Sequence, residues 1–191
     1  MVKNTTVLTL LPLIIGAISL AIPDFSMLNM WFVLGLYIPL LLFAVYLDLT
    51  GKSKKSDRLR GYVGYFSFVL ASIYFALPAV RVFQEKPVLQ LAIIGLWLAA
   101  SVFTFWKNEL MYSIVFGKSD EHRKYSFILH GTMFLAIVAG GGGHYKAAEY
   151  FSFIFGENAT FAYFSIILWI FSLWMTIFAQ SSVGVFTKFR N

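Results

Sequence analysis

Six apolar runs, each free of lysine, arginine, aspartate and glutamate, constrain this chain more than any motif in it. They fall at approximately Thr6 to Ile22, Leu28 to Leu47, Gly61 to Val80, Pro87 to Trp106, Ser126 to Gly140 and Thr160 to Gln180. A helix that crosses a bilayer needs about 20 such residues, because each advances about 1.5 Å through hydrocarbon about 30 Å thick. The sequence therefore predicts an all-α polytopic membrane protein with about six transmembrane helices in three hairpins, residues 1–191 forming a single integral membrane domain. Composition agrees, at 59% hydrophobic and 13% charged residues, where a soluble domain carries about 25% charged. The first run is read as a retained helix rather than a secretory signal, since one basic residue precedes it and SLAIPD is a poor cleavage site.

Charge sets the expected orientation. With six spans, one side holds Lys3, Lys52, Lys54, Lys55, Arg58, Arg60, Lys107, Lys118, Arg123, Lys124, Lys188 and Arg190, which is 12 of the 15 basic residues, against Arg81, Lys86 and Lys146 on the other. The positive-inside rule makes the first side, with both termini, cytoplasmic. Five acids lie inside and four outside, so the faces carry +7 and −1, which sums to the chain's +6. The expected location is the cell membrane, the inner membrane if the source is bacterial.

The chemistry in the spans is sparse. No ionisable Lys, Arg, Asp or Glu occupies the centre of a run, where coupled transporters and proton relays need one. Asp48, Arg81 and Lys107 flank runs and read as boundary charges. The absence of cysteine removes disulfides, thiolate nucleophiles and cysteine-based metal sites. There is no GxSxG or HExxH pattern, so the expectation is not an enzyme. Mid-span serines, among them Ser67, Ser72, Ser101, Ser165 and Ser172, read as bonded to a carbonyl one turn back or as packing residues.

His130 lies about one turn inside the fifth run, and His144 follows near four turns later. A haem between them would need partner ligands from other helices, and no other run contains a histidine. The reading is an interfacial, hydrogen-bonded histidine, with no cofactor and no metal.

The segment AGGGGHYKAAEY follows the fifth run. It lacks the Ser or Thr of a phosphate loop after Lys146, and an apolar helix rather than a strand precedes it. Gly140, Gly141, Gly142 and Gly143 are read as a helix terminator and hinge, since each glycine costs a helix about 1 kcal/mol relative to alanine. His144, Tyr145, Lys146, Tyr150 and Phe151 belong to an amphiphilic outer segment expected to lie in the headgroup plane, the alternative being a re-entrant element.

On the inner side, Lys52, Lys54, Lys55, Arg58 and Arg60 form one basic loop, and Arg123 and Lys124 close a second around an apolar MYSIVF core. Five basic charges approach the 4 to 8 that hold an anionic lipid surface. The same residues form an expected docking surface for a cytosolic protein. Taken together, these features lead to a non-enzymatic inner-membrane sensor or scaffold. It would be homo-oligomeric, would contact membrane lipids and a possible cytosolic partner but no nucleic acid directly, and would suit a stress or phage-defence assembly. The alternative is a channel or small-solute permeation subunit.

Overall fold

A computed structural model describes residues 4–140 and 146–188, with the side chains of 54, 55 and 184–188 outside the description. Among the described residues it is all-helical. A 3₁₀ segment, Thr5–Thr9, leads into α1 (Leu10–Leu20), followed by α2 (Met27–Leu49), α3 (Lys52–Lys55), α4 (Asp57–Val82) and α5 (Pro87–Trp106). The second half contains α6 (Asn108–Val115), α7 (Asp120–Ala139), α8 (Ala147–Phe155) and α9 (Glu157–Lys188).

Four helices are long and apolar enough to cross a membrane: Met27–Leu49, Asp57–Val82, Pro87–Trp106 and Glu157–Val183. The chain is thus consistent with a multi-pass membrane protein. Two of the six expected spans are less clear-cut, for physical reasons. The apolar helix Thr5–Leu20 has 16 residues and opens with a 3₁₀ turn, while α7 carries Asp120, Glu121, Arg123 and Lys124 in its first turns.

Local chemistry sets the helix ends. Ser56 and Ser119 cap α4 and α7, their hydroxyls accepting the amides of Leu59 (3.3 Å) and His122 (3.4 Å). Acidic residues fill the first turn of each helix, Asp57 in α4 and Asp120 with Glu121 in α7, which suits the positive end of the helix dipole. Pro87 occupies the first turn of α5, where its missing N–H costs nothing. Gly117, between α6 and α7, has φ of 57°, and Gly156, between α8 and α9, has φ of 83°. A side chain at either would be strained, so glycine permits both turns.

The centre of the bundle is α4, which buries Val63, Ser67, Leu70, Ala71, Ser72, Tyr74, Pro78 and Ala79. One core joins it to α1 and α2 through Ile15, Val33, Tyr37, Leu70, Ala71 and Tyr74. The Tyr74 hydroxyl donates to the Val33 carbonyl at 2.6 Å, removing the polar tip from hydrocarbon. Gly16 lies under this ring: a Cβ there would stand 2.8 Å from Val33 Cγ1 and 3.1 Å from Tyr74 Cδ2. A second cluster, Ala44, Leu47 and Val63, extends the contact toward the other end of α1.

The α4–α9 contact is built on hydroxyls. Ser72 Oγ donates to the Ser172 carbonyl (2.9 Å), and Ser172 Oγ donates to the Ser72 carbonyl (2.7 Å). Thr176 Oγ1 also bonds Ser72 Oγ, and Trp97 Nε1 of α5 donates to that same oxygen at 3.0 Å. Nearer the chain's basic end, Tyr65 donates to Gln180 Oε1 (3.0 Å), whose amide donates to Ser101 Oγ (3.2 Å). Small residues let the backbones approach, and bonds between helices, each worth about 0.6 kcal/mol, replace a hydrophobic drive that lipid does not provide.

Candidate functional site

Two charged side chains hold α1 at both ends. Asp48, at the end of α2, accepts the Thr5 amide and hydroxyl on Oδ1 (2.9 and 2.7 Å) and those of Thr6 on Oδ2 (2.8 and 2.7 Å). Arg81, in the last turn of α4, donates from Nη1 to the carbonyls of Ser19 (3.2 Å) and Ile22 (2.7 Å), and from Nη2 to that of Asp24. An anion thus meets the amide end of the helix and a cation its carbonyl end, the arrangement its dipole favours.

Near the Asp48 end, five cations lie over aromatic rings. Lys52 stands 5.0 Å from the Tyr46 centroid, Arg58 5.7 Å from Tyr62, Lys107 4.8 Å from Trp106, Lys118 4.2 Å from Tyr112 and Lys124 5.0 Å from Tyr125. Lys52 also donates to the Tyr46 hydroxyl at 2.8 Å, and Arg58 donates to that of Tyr62. Each pairing keeps a charge at ring height, where it can meet phosphate headgroups. Arg60 pairs with Asp57, and Arg123 with Asp120 at 3.8 Å. The second pair is fully exposed and contributes little to stability. Among the expected docking residues, the side chains of Lys54 and Lys55 lie outside the described residues.

Histidines join α6 to α7. His130 Nε2 donates to the Val115 carbonyl at 3.0 Å, which places the ring proton on Nε2, and the ring meets Trp174 edge-on with centroids 6.0 Å apart. His122 Nδ1 bonds Ser113 Oγ. Among the described residues, no three of His, Asp and Glu converge on one point.

At the other end, α7 stops at Ala139 and Gly140 follows. Gly141, Gly142, Gly143, His144 and Tyr145 lie outside the described residues. Lys146 precedes the nine-residue α8, which buries no side chain. Phe151 holds α8 to α9, stacking on Tyr163 (4.8 Å) and meeting Phe164 edge-on. The Tyr163 hydroxyl donates to the last helical carbonyl of α7, Ala139, at 2.7 Å. Tyr150 faces away and Phe153 is 90% exposed. Both helices bury little side chain, Ala136 being the one buried residue of α7 and α8 burying none.

Beside these helices is a cleft of about 430 Å³. Ile18 and Ile22 wall one side, Ala136 of α7 and the Gly140 that follows it another, Ala148 of α8 borders it, and Thr160 and Leu168 of α9 contribute to the rest. Small side chains on α7 and α8 create the space. Its hydroxyl, Thr160 Oγ1, is already spent on the Gly156 carbonyl at 2.8 Å. Sequence reasoning missed this cleft because it depends on residues up to 150 positions apart; the available signal was the small pair Ala136 and Gly140 beside the glycine run.

No protein-family model, no curated protein and no solved structure matches this chain.

Proposed function

We propose that the protein is a non-enzymatic membrane sensor or scaffold that crosses the bilayer six times, in three hairpins with both termini on the basic, cytoplasmic side. The bonds at helix ends support this course. Thr5 with Asp48, and Tyr65 with Gln180 and Ser101, belong to one end; Arg81 with Ser19 and Ile22, Gln90 with Val80, and Tyr163 with Ala139 belong to the other. The five cation–ring pairs fall at the first end, as the charge count expects for a cytoplasmic face. Because the chain has no cysteine, single thiols report sidedness directly. An impermeant maleimide applied to intact cells should label Asp24→Cys, Lys86→Cys and Lys146→Cys and should reach Asn4→Cys, Lys52→Cys or Lys118→Cys only after permeabilisation. Labelling from the same side of Asn4→Cys and Asp24→Cys, of Lys52→Cys and Lys86→Cys, or of Lys118→Cys and Lys146→Cys would remove the six-span course.

The sensor reading rests on one observation: α7 and α8 bury little side chain beside a core whose helices are locked by reciprocal bonds. Elements that respond to a signal come from the weakly packed end of a structure. The inner loops, with Lys52, Arg58, Arg60, Arg123 and Lys124, then serve as the surface for lipid headgroups and a cytosolic partner.

Self-association is assigned to α5. Val88, Ala92, Gly95, Ala99, Val102 and Trp106 repeat every three or four residues and are all exposed, on the helix face opposite Trp97, Ser101 and Thr104, which pack inward. Among the described residues no atom outside its own stretch of helix lies within 4 Å of a Cβ built at Gly95, so packing among them does not require glycine there; a second copy approaching closely would. Gly95→Leu should convert the oligomer to monomer in analytical ultracentrifugation while leaving the melting temperature nearly unchanged. An oligomer of unaltered mass would reject α5 as the seam.

A further inference from the structure

We infer that the cleft between α1, α7, α8 and α9 is a phospholipid site, holding one acyl chain with the lipid phosphate received by Arg81. The volume of about 430 Å³ lies within the range of small-ligand pockets. Its wall, among the described residues, is apolar. Water needs two to four polar partners, and the one side-chain polar atom of that wall is Thr160 Oγ1, whose proton goes to the Gly156 carbonyl. A polar or charged solute would be desolvated against Ile18, Ala136 and Leu168 with no compensating bond. Hydrocarbon remains, and in a bilayer the hydrocarbon at hand is an acyl chain.

Arg81 does not line the cleft but is bonded to a residue that does, and its charge narrows the class to phospholipid. Ile22, on the wall, gives its carbonyl to Arg81 Nη1 at 2.7 Å. A guanidinium has five N–H donors. The bonds to Ser19, Ile22 and Asp24 take three among the described residues, leaving Nε–H and one Nη2–H. Both can be offered to phosphate oxygens, in competition with the neighbouring Asp24 carboxylate. A chain lying in the cleft would end beside a fixed cation with two donors to spare, in the leaflet opposite the cation–ring belt.

The assignment rests on the membrane placement of α1 and α7 proposed above, and not on signalling or self-association. It is tested by native mass spectrometry of the full chain in mild detergent, after incubation with dioleoyl phosphatidylglycerol or with dioleoylglycerol. The wild type should retain one phosphatidylglycerol and at least tenfold less dioleoylglycerol. Ala148→Trp fills the cleft from an exposed position on α8 and should reduce retention at least tenfold with an unchanged melting temperature. Leu168→Trp fills it from α9 and guards against a local effect on α8. Arg81→Lys should lower retention severalfold, since one ammonium replaces the guanidinium.

Undiminished retention in both tryptophan variants would overturn the site, and equal retention of dioleoylglycerol would overturn the role of Arg81. A tryptophan variant that changes oligomer mass instead of lipid content would identify the occupant as a second copy of the chain. Thiol labelling that rejects the six-span course while lipid retention behaves as expected would separate the failure of that course from the failure of this site.

Discussion

Replacing Asp48 with asparagine is expected to lower stability by about 3 kcal/mol, since bonds to a charged group contribute about 1.5–3 kcal/mol each. Each Asp48 oxygen accepts one amide and one hydroxyl, from Thr5 and Thr6 respectively. Asparagine presents one oxygen and one NH₂. Whichever way it turns, the NH₂ faces a backbone N–H that cannot rotate away, and the charge opposing the helix dipole is lost. Threonine hydroxyls can turn, so Thr6→Val should cost only about 1 kcal/mol. For a chain of this size 1 kcal/mol shifts the midpoint by about 2–4 °C. Thermal unfolding in detergent should therefore show Asp48→Asn melting about 6–12 °C low; a shift no larger than that of Thr6→Val would show that Asp48 does not anchor the helix.

Gly16→Leu should be comparably severe, and Gly35→Leu harmless. Both glycines sit inside apolar helices, yet a Cβ at Gly16 would collide with Val33 and Tyr74 while one at Gly35 would meet nothing within 4 Å. The Gly16 contact involves a valine that is 3% exposed and a tyrosine that is fully buried and tied to the Val33 carbonyl. Neither can move aside without opening the α1–α2–α4 core. Overpacking of this kind costs about 1–3 kcal/mol, and leucine adds three carbons beyond Cβ, so about 3 kcal/mol is expected. At Gly35 the helix gains propensity of up to about 1 kcal/mol instead. Equal midpoints for the two variants would contradict the packing of α1 on α4.

The helices were legible because desolvation forbids a charge in hydrocarbon, so the charged residues bracket each run. The start of α5 at Pro87 and its end at Trp106 coincide with the run read from sequence. What could not be read was partnership. Asp48 and Arg81 registered only as boundary charges, since their partners lie 42 to 62 residues away. Ser72 and Ser172 read either as hydroxyls bonded one turn back or as packing residues, and it is the second that holds, since they bond each other across 100 residues. Composition cannot distinguish those outcomes, because a serine on a helix satisfies itself equally well either way. His130 was anticipated as a hydrogen-bonded histidine, but its acceptor, Val115, becomes available only because α6 ends there.

The two clamps on α1 carry a consequence for biogenesis. A chain is made from its amino end, so α1 is translated before either of its anchors, residues 48 and 81. Its amide end waits for α2 and its carbonyl end for α4. By the same order α4, carrying Tyr65 and Ser72, must wait for α9 to supply Gln180, Ser172 and Thr176. Along the chain α1 is thus completed well before α4, and a chain interrupted ahead of α9 leaves the hydroxyls of Ser72 and Tyr65 without the partners that α9 brings.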